Sequence, residues 1–319
     1  MYNMAMKAIV YEKYGPPEVL KSIETQKPIP KSSELLIKVK AIALNPLDYR
    51  IRRGWIRPLT DFNFPRSIGS DFSGEVVEVG DKVSSFQKGD RVYGMSFQIF
   101  SGTSADYIKI KASALSIIPD TLSFEQAAAV PLAAQTSLQA LRDLGHLEKS
   151  GRVLVNGASG GVGVFAIGIA KIMGAHVTAV TSFRNTDFVK DLGADEVIDY
   201  TKEDFTKSDQ KYDIIFDCWG NKNFVKVEGS LEEKGIYIST IPNVKNFLLS
   251  LKNIMNQKKG KVVLVKSKNE DLETLKGYID KGSLRVIIDK VFPKSEIIDA
   301  YKYLETKRAK GKVVVNFES

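Results

Sequence analysis

Apolar residues change their spacing twice along the chain. From Lys7 to about Pro119 they fall in short runs broken by Gly, Pro and Asp. Leu35 to Ala41 and Gly74 to Gly80 alternate in part with period two, as half-buried strands do, and Gly89 to Gly94 and Tyr107 to Ile110 continue the series. This half predicts a β-rich domain. At Thr121 the composition shifts. Ser123 has the chemistry of a helix cap, and Ala127 to Leu144 predicts a helix interrupted at Pro131. Strands and helices then alternate, with six strands expected around Val153–Val155, Val177–Val180, Glu196–Ile198, Asp213–Phe216, Ile236–Ile238 and Val262–Val265. Such alternation implies a parallel sheet covered by helices, with ligands at the carboxyl ends of the strands. Beyond Lys266 two amphipathic helices, around Leu272–Ile279 and Glu296–Leu304, flank Val286–Ile288 and Val291–Phe292, and a strand from Lys312 to Phe317 closes the chain.

One stretch organises the rest. Gly151 to Met173 reads as a strand (Val153 Leu154 Val155), a glycine turn, and a helix with apolar residues at Val162, Phe165, Ala166, Ile169, Ala170 and Met173. Turn glycines let a backbone pass close to a pyrophosphate, whose charge is met by free N–H groups and the positive end of the helix dipole. Ala158 stands where the first glycine of G-x-G-x-x-G is usual, and Gly157 can supply the turn instead. Gly160 is then the close-approach position and Gly163 the point of tight helix–strand packing. Ser159, Gly161 and Val162 complete the candidate phosphate cradle.

Composition narrows the classes. The 319 residues, 43% of them hydrophobic and 26% charged, suffice for two domains. No apolar run reaches membrane-spanning length and Met1 to Lys7 lacks a signal core, so a cytoplasmic protein without a membrane partner is expected. A single cysteine, Cys218, excludes an intramolecular disulfide, and with only His146 and His176 besides, no metal site is expected. The net charge of +8 comes from scattered lysines. It reads as solvated surface that also attracts an anionic cofactor, rather than as a nucleic-acid footprint.

The cofactor choice rests on the end of the second nucleotide-domain strand. An NAD enzyme places an acid there for the ribose 2′-hydroxyl. Here the residues are Thr181, Ser182, Phe183, Arg184 and Asn185, and the first acid, Asp187, reads as a first-turn residue of the next helix. Hydroxyls and a guanidinium suit a 2′-phosphate, which points to NADPH with Thr181, Ser182 and Arg184 as contacts.

With these residues read, the chain resembles, nearly end to end, the medium-chain dehydrogenase/reductase superfamily in its zinc-free quinone and enone reductase branch. The resemblance is carried by Asn45 Pro46 Leu47 Asp48 Tyr49, Gly69 to Gly74, Val130 to Ala133, Gly157 to Gly163, Gly193 to Tyr200, and Gly311 to Val314. It implies an α/β protein in which a GroES-like β-rich domain (1–122, rejoined by 266–319) adjoins a Rossmann doubly wound parallel sheet (123–265), with a substrate cleft between them. Zinc-dependent cousins carry Cys at the place of Asn45, Gly-His-Glu at Gly69–Asp71, and a four-cysteine loop that this chain lacks. By family position, Thr136 and Tyr200, with Ile241 and Val265, are further cofactor contacts, and a homodimer is expected. The implied activity is NADPH-dependent hydride transfer to a small enone, alkenal or quinone. Without zinc, the developing oxygen charge must meet hydrogen-bond donors, for which Asn45, Tyr49 and Arg50, oriented by Asp48, are the candidates. A structural Asx turn at Asn45–Asp48 is compatible with that role. Alternatives are an enoyl-CoA thioester reductase and an NADPH-binding protein with a second, RNA-binding role.

Overall fold

A computed structural model describes residues 5–55, 57, 64–96, 102–241 and 258–318. The chain folds into two compact units: Met1–Leu132 with Ser267–Asp280 and Val286–Ser319, and Ala133–Lys266 with Lys281–Arg285.

The first unit holds β1 (Ala5–Tyr11), β2 (Leu20–Gln26), β3 (Glu34–Leu44), α1 (Pro46–Arg52), β4 (Arg66–Ser67), β5 (Asp71–Val79), β6 (Arg91–Met95), β7 (Tyr107–Lys111), β8 (Leu115–Ile117) and α2 (Phe124–Ala128). β1 pairs antiparallel with β2 and β4. β3 is flanked by β5, β7 and a strand from the end of the chain. That central place explains a difference from the sequence pattern. Period-two alternation predicts a half-buried strand, yet both faces of β3 are covered. Leu35, Ile37, Val39, Ile42 and Leu44 enter the main core of the unit. Ala41 and Ala43 pack with Ala128, Ala129 and Val314 on the other side, where only small side chains fit. Ser123 caps α2 as expected: its Oγ accepts the Gln126 N–H at 3.2 Å, and the Gln126 side chain accepts the Ser123 N–H at 3.1 Å. Pro131 does not kink one long helix. It opens a new one, α3 (Pro131–Leu138), where its missing N–H is harmless.

The second unit is a six-stranded sheet, every pairing parallel, built from β9 (Arg152–Asn156), β10 (His176–Thr181), β11 (Glu196–Asp199), β12 (Tyr212–Asp217), β13 (Leu231–Ser239) and β14 (Lys259–Val262). Its spatial order is β11-β10-β9-β12-β13-β14. This is the doubly wound order, whose switch point lies between β9 and β12. α4 (Gly161–Ile172) follows β9 and buries Phe165, Ala166, Ile169 and Ala170; α5 (Thr186–Asp191) follows β10. The sixth strand lies earlier than expected, at Lys259–Val262 rather than over Val262–Val265. As an edge strand it pairs on one side only, through Ile236↔Lys259 to Ser239↔Val262, and has no need of a continuous apolar run. The apolar residues beyond Val262 belong to its carboxyl end.

The chain then returns to the first unit with a helix at Asn269–Asp280, β15 (Ile288–Pro293), a helix at Ile297–Glu305 and β16 (Lys312–Asn316). β16 pairs parallel with β15 and antiparallel with β3, through Val313↔Leu44 to Asn316↔Ala41. No helix among the described residues is long and apolar enough to cross a membrane.

Candidate functional site

The glycine turn is built as its sequence demands. Gly157 has φ +83°, and a Cβ there would lie 3.1 Å from the Trp219 Cβ. Its N–H and that of Ala158 donate to the Val180 carbonyl at 3.2 and 3.1 Å, tying the turn to β10. A Cβ at Gly163 would sit 2.3 Å from the Gly157 oxygen, so only glycine lets α4 close on the turn. At Gly160, by contrast, the nearest atom to an added Cβ is 3.5 Å away. Gly160 caps α4 without a side chain, and Gly161, Val162 and Gly163 form the first turn. An open glycine face at an uncapped helix start fits the pyrophosphate of a dinucleotide.

The carboxyl ends of the neighbouring strands gather the other predicted contacts. Large apolar side chains stand exposed there: Phe183 after β10 at 68%, Tyr200 after β11 at 63%, Trp219 after β12 at 48% and Leu264 after β14 at 71%. Leu264 is next to Val265. Ile241, after β13, packs where a Cβ on Gly220 would meet its Cδ1 at 2.2 Å. Thr181 donates to Ser159 Oγ at 3.1 Å, and Asn185 Nδ2 reaches the same oxygen at 3.1 Å. Two predicted residues, one from the glycine turn and one from the β10 end, are thus joined by Asn185, which sequence reasoning had passed over. Ser182 is half-buried and Arg184 exposed.

Thr181–Asn185 carry no acid in sequence, but the neighbouring strand brings one beside them. Asp199 is the register partner of Thr181 on β11. Its Oδ1 accepts the Thr201 N–H at 3.0 Å and the Thr201 hydroxyl at 2.8 Å, its Oδ2 is buried, and the Phe183 N–H after β10 also acts on the carboxylate. The Thr201 N–H is the first cause holding its pKa below the usual range.

Sequence reasoning also missed the supports. Asp217, fully buried, accepts from Asn156 Nδ2 (2.8 Å), Gly220 N–H (2.7 Å), Lys222 N–H (3.1 Å) and the Tyr237 hydroxyl (2.9 Å), fixing the loop at the β12 end. Gln139 exchanges two hydrogen bonds with the Lys266 backbone, at 2.7 and 2.9 Å, and so anchors the segment carrying Val265. Thr136 is buried on α3, beside Ser137, whose hydroxyl reaches the Val162 carbonyl at 3.0 Å. Cys218 is half-buried, and burial raises its thiol well above the usual pKa.

In the first unit the predicted polar run separates into distinct environments. Asn45 caps α1, its N–H donating to Asp48 Oδ2 at 2.8 Å. The Asn45 side chain enters a buried network. Its Nδ2 donates to Asp71 Oδ2 at 3.0 Å and to the Ala43 carbonyl at 3.3 Å, and its Oδ1 accepts from Lys312 Nζ at 2.6 Å. Both amide hydrogens are thereby committed inside the protein. Lys312, from β16, is 3% exposed and also reaches Asp71 Oδ2 at 3.0 Å; Asp71 Oδ1 accepts the Leu132 N–H at 2.8 Å at the start of α3. Asp48 Oδ1 accepts the Ser70 hydroxyl at 2.9 Å. Burial pushes the Asp48 carboxyl up to about 7, against the opposing hydrogen bonds from the Asn45 N–H and Ser70. Tyr49 and Arg50 face elsewhere. The Tyr49 ring belongs to the main core, and the Arg50 guanidinium stands 5.7 Å from the Trp55 ring with its Nε buried and unbonded among the described residues.

Two families of known proteins match the chain: "Alcohol dehydrogenase GroES-like domain" over residues 31–120 and "Zinc-binding dehydrogenase" over 192–315. Zinc does not fit the residues present. The network offers no thiolate or imidazole, and the Lys312 ammonium already occupies the Asn45 and Asp71 oxygens. Among the described residues no group of three His, Cys, Asp or Glu side chains is placed to hold a metal. The chain is 35% identical to a chloroplast envelope quinone oxidoreductase homolog of Arabidopsis thaliana, covering 99% of each. It is 36% identical to an NADPH-dependent alkenal/one oxidoreductase of the same plant, over 97% of this chain and 79% of the relative. A solved structure of the quinone oxidoreductase from Coxiella burnetii superposes with a TM-score of 0.91 at 33% identity, covering 98% of this chain and all of that one. The doubly wound sheet, the glycine turn and these full-length likenesses establish that the chain belongs to the medium-chain dehydrogenase/reductase family, in its quinone oxidoreductase branch.

Proposed function

We propose that the protein is an NADPH-dependent, metal-free reductase of α,β-unsaturated carbonyl compounds (enones and alkenals) and of quinones. The observation that carries the cofactor choice is the cluster of Ser159, Thr181 and Asn185 beside exposed Arg184, with the carboxylate of Asp199, the register partner of Thr181, engaged by the Thr201 N–H and hydroxyl. Hydroxyl, amide and guanidinium donors suit a 2′-phosphate. In this reading Gly157, Gly160, Gly161, Val162 and Gly163 receive the pyrophosphate. Ser182, Arg184 and Tyr200 border the adenosine end, and Thr136, Ile241 and Val265 border the nicotinamide. Bound NADPH supplies the hydride.

On the substrate side, adding hydride to the β-carbon places negative charge on the carbonyl oxygen, and each donor aimed at that charge is worth about 3–4 kcal/mol. The committed Asn45 amide serves as framework, with Asp48, and the helix they cap carries Tyr49 and Arg50. The substrate class follows relatives named for quinones and for alkenals. A cytoplasmic homodimer belongs to the same reading. Steady-state assays with NADPH and NADH against 2-alkenals, quinones and enoyl-CoA thioesters test it. The expected result is kcat/KM at least tenfold higher with NADPH, on alkenals or quinones, without added metal and unchanged by chelator. Turnover confined to enoyl-CoA, a preference for NADH, or a loss of activity on chelation would each refute the corresponding part.

A further inference from the structure

A large aromatic side chain left open beside the glycine turn needs a physical reason. We propose that Trp219 is a cofactor-binding residue whose indole packs against the nicotinamide mononucleotide half of the dinucleotide; this rests on the cofactor reading above. Its place follows from strand register within the second unit. β9 and β12, the pair at the switch point, run parallel with Asp217 opposite Asn156. The residues that follow them, Gly157 on one strand and Cys218 and Trp219 on the other, therefore border one crevice at the carboxyl ends of the sheet. The approach is close: a Cβ on Gly157 would lie 3.1 Å from the Trp219 Cβ and 3.2 Å from its backbone nitrogen. Trp219 thus flanks the turn that receives the pyrophosphate, on the β12 side. β10 lies on the other side of β9, and there Thr181 and Asn185 gather on Ser159 as the 2′-phosphate end. A dinucleotide crossing the turn from that end has its nicotinamide half toward β12 and β13. Ile241, after β13, borders the same loop, where a Cβ on Gly220 would meet its Cδ1 at 2.2 Å.

The loop that carries the indole is fixed on both sides of it. Before Trp219, the Cys218 N–H donates to the Asn156 carbonyl at 3.0 Å, and the Thr240 hydroxyl donates to the Cys218 carbonyl at 3.2 Å. After it, Gly220, at φ +75°, gives its N–H to Asp217 Oδ1 at 2.7 Å, and the Lys222 N–H goes to Asp217 Oδ2 at 3.1 Å. The backbone is held, yet Trp219 itself remains 48% exposed. Covering such a side chain removes a large apolar surface from water, which favours any ligand that does so. A loop already in place loses little conformational freedom when the ligand arrives. The surface on offer is a planar, uncharged aromatic group next to an anion cradle. That chemistry matches the ribose and ring that follow a pyrophosphate, and it does not match a further phosphate, which the cations and N–H donors at the β10 side serve instead.

Two ligands separate this role from a structural one. NADPH carries both halves, whereas 2′,5′-ADP carries the adenosine and its 2′-phosphate without the nicotinamide. By calorimetric titration, Trp219→Ala is expected to raise the Kd for NADPH by about fivefold or more, the loss that follows removal of one aromatic contact to a nucleotide ring, and to leave the Kd for 2′,5′-ADP within about twofold. A disturbed fold would weaken both alike. Fluorescence gives a second reading. The chain has two tryptophans, Trp55 and Trp219, so Trp55→Phe leaves Trp219 as the sole indole. Its emission should change on saturation with NADP+, which does not absorb indole emission and so acts on the ring by contact, and stay unchanged with 2′,5′-ADP. An unchanged NADPH Kd in Trp219→Ala, or equal weakening of NADPH and 2′,5′-ADP, would overturn the assignment of Trp219 alone. A wild type that binds neither NADPH nor NADH would overturn the cofactor reading, and Trp219 with it. Should Trp219→Ala fail to fold, the emission of Trp55→Phe decides: no change at saturating NADP+ would overturn the contact.

Discussion

Lys312 is the residue on which the buried network of the first unit depends. Its ammonium is the cation facing Asp71 in an interior where both side chains are almost fully enclosed. Removing one partner of such a pair leaves a buried charge without its countercharge, at a cost of about 3–5 kcal/mol. Lys312→Met should therefore lower the stability of the folded protein by roughly that amount, measured by urea unfolding. Lys312→Met with Asp71→Leu should recover much of the loss, because no orphaned charge remains. A double variant no better than the single one would mean that Lys312 acts through its packing and not its charge. The Asn45 side chain is fully engaged in the same network: its amide hydrogens go to Asp71 on β5 and Ala43 on β3, and its oxygen accepts from Lys312 on β16.

At the scale of the element, the β9–α4 unit separates two glycines that look alike in sequence. Gly163 is required by the fold, since a methyl there would strike the backbone of its own turn at 2.3 Å. Gly160 has room, at 3.5 Å from its nearest neighbour, and an ordinary backbone conformation with φ −83°. Gly163→Ala is expected to destabilise the protein by about 1–3 kcal/mol, the usual range for overpacking. Gly160→Ala should leave the melting temperature within about 2 °C and weaken NADPH binding at least tenfold, because the added methyl projects where the phosphates pass. Calorimetric titration and thermal melts of both variants check this pair of outcomes. Unweakened NADPH binding in Gly160→Ala would remove the turn from the cofactor site.

For the whole molecule, the parts legible in sequence are those governed by local rules. The strand–turn–helix around Gly157–Gly163 is short-range and obeys spacing, and five of the six expected nucleotide-domain strands lie where their apolar runs do. The sixth is displaced because edge pairing tolerates Lys259 and Lys261, which a search for apolar runs passes by. The network in the first unit was illegible for a different reason. Its members come from β3–α1, β5 and β16, with Lys312 267 residues beyond Asn45. In sequence Lys312 stands only as the first residue of the closing strand, ahead of Val313 Val314 Val315, and nothing marks it as buried. Only the pairing of β16 with β3 reveals that it points inward. Asp199 was missed likewise, since its proximity to Thr181 is a matter of register between parallel strands.

β16 leaves the ribosome after the other described strands of the sheet it completes, most of them made long before it. The nucleotide-binding unit, nearly continuous from Ala133 to Lys266, has all but a few of its residues in hand while the β-rich unit still lacks β15, β16 and the countercharge for Asp71. Vectorial synthesis therefore implies an order: the nucleotide-binding unit becomes protease-resistant first, and the β-rich unit only once β16 has emerged. Stalled chains ending before Gly311 should show the first kind of protection without the second, and limited proteolysis of ribosome-bound intermediates would read that order directly.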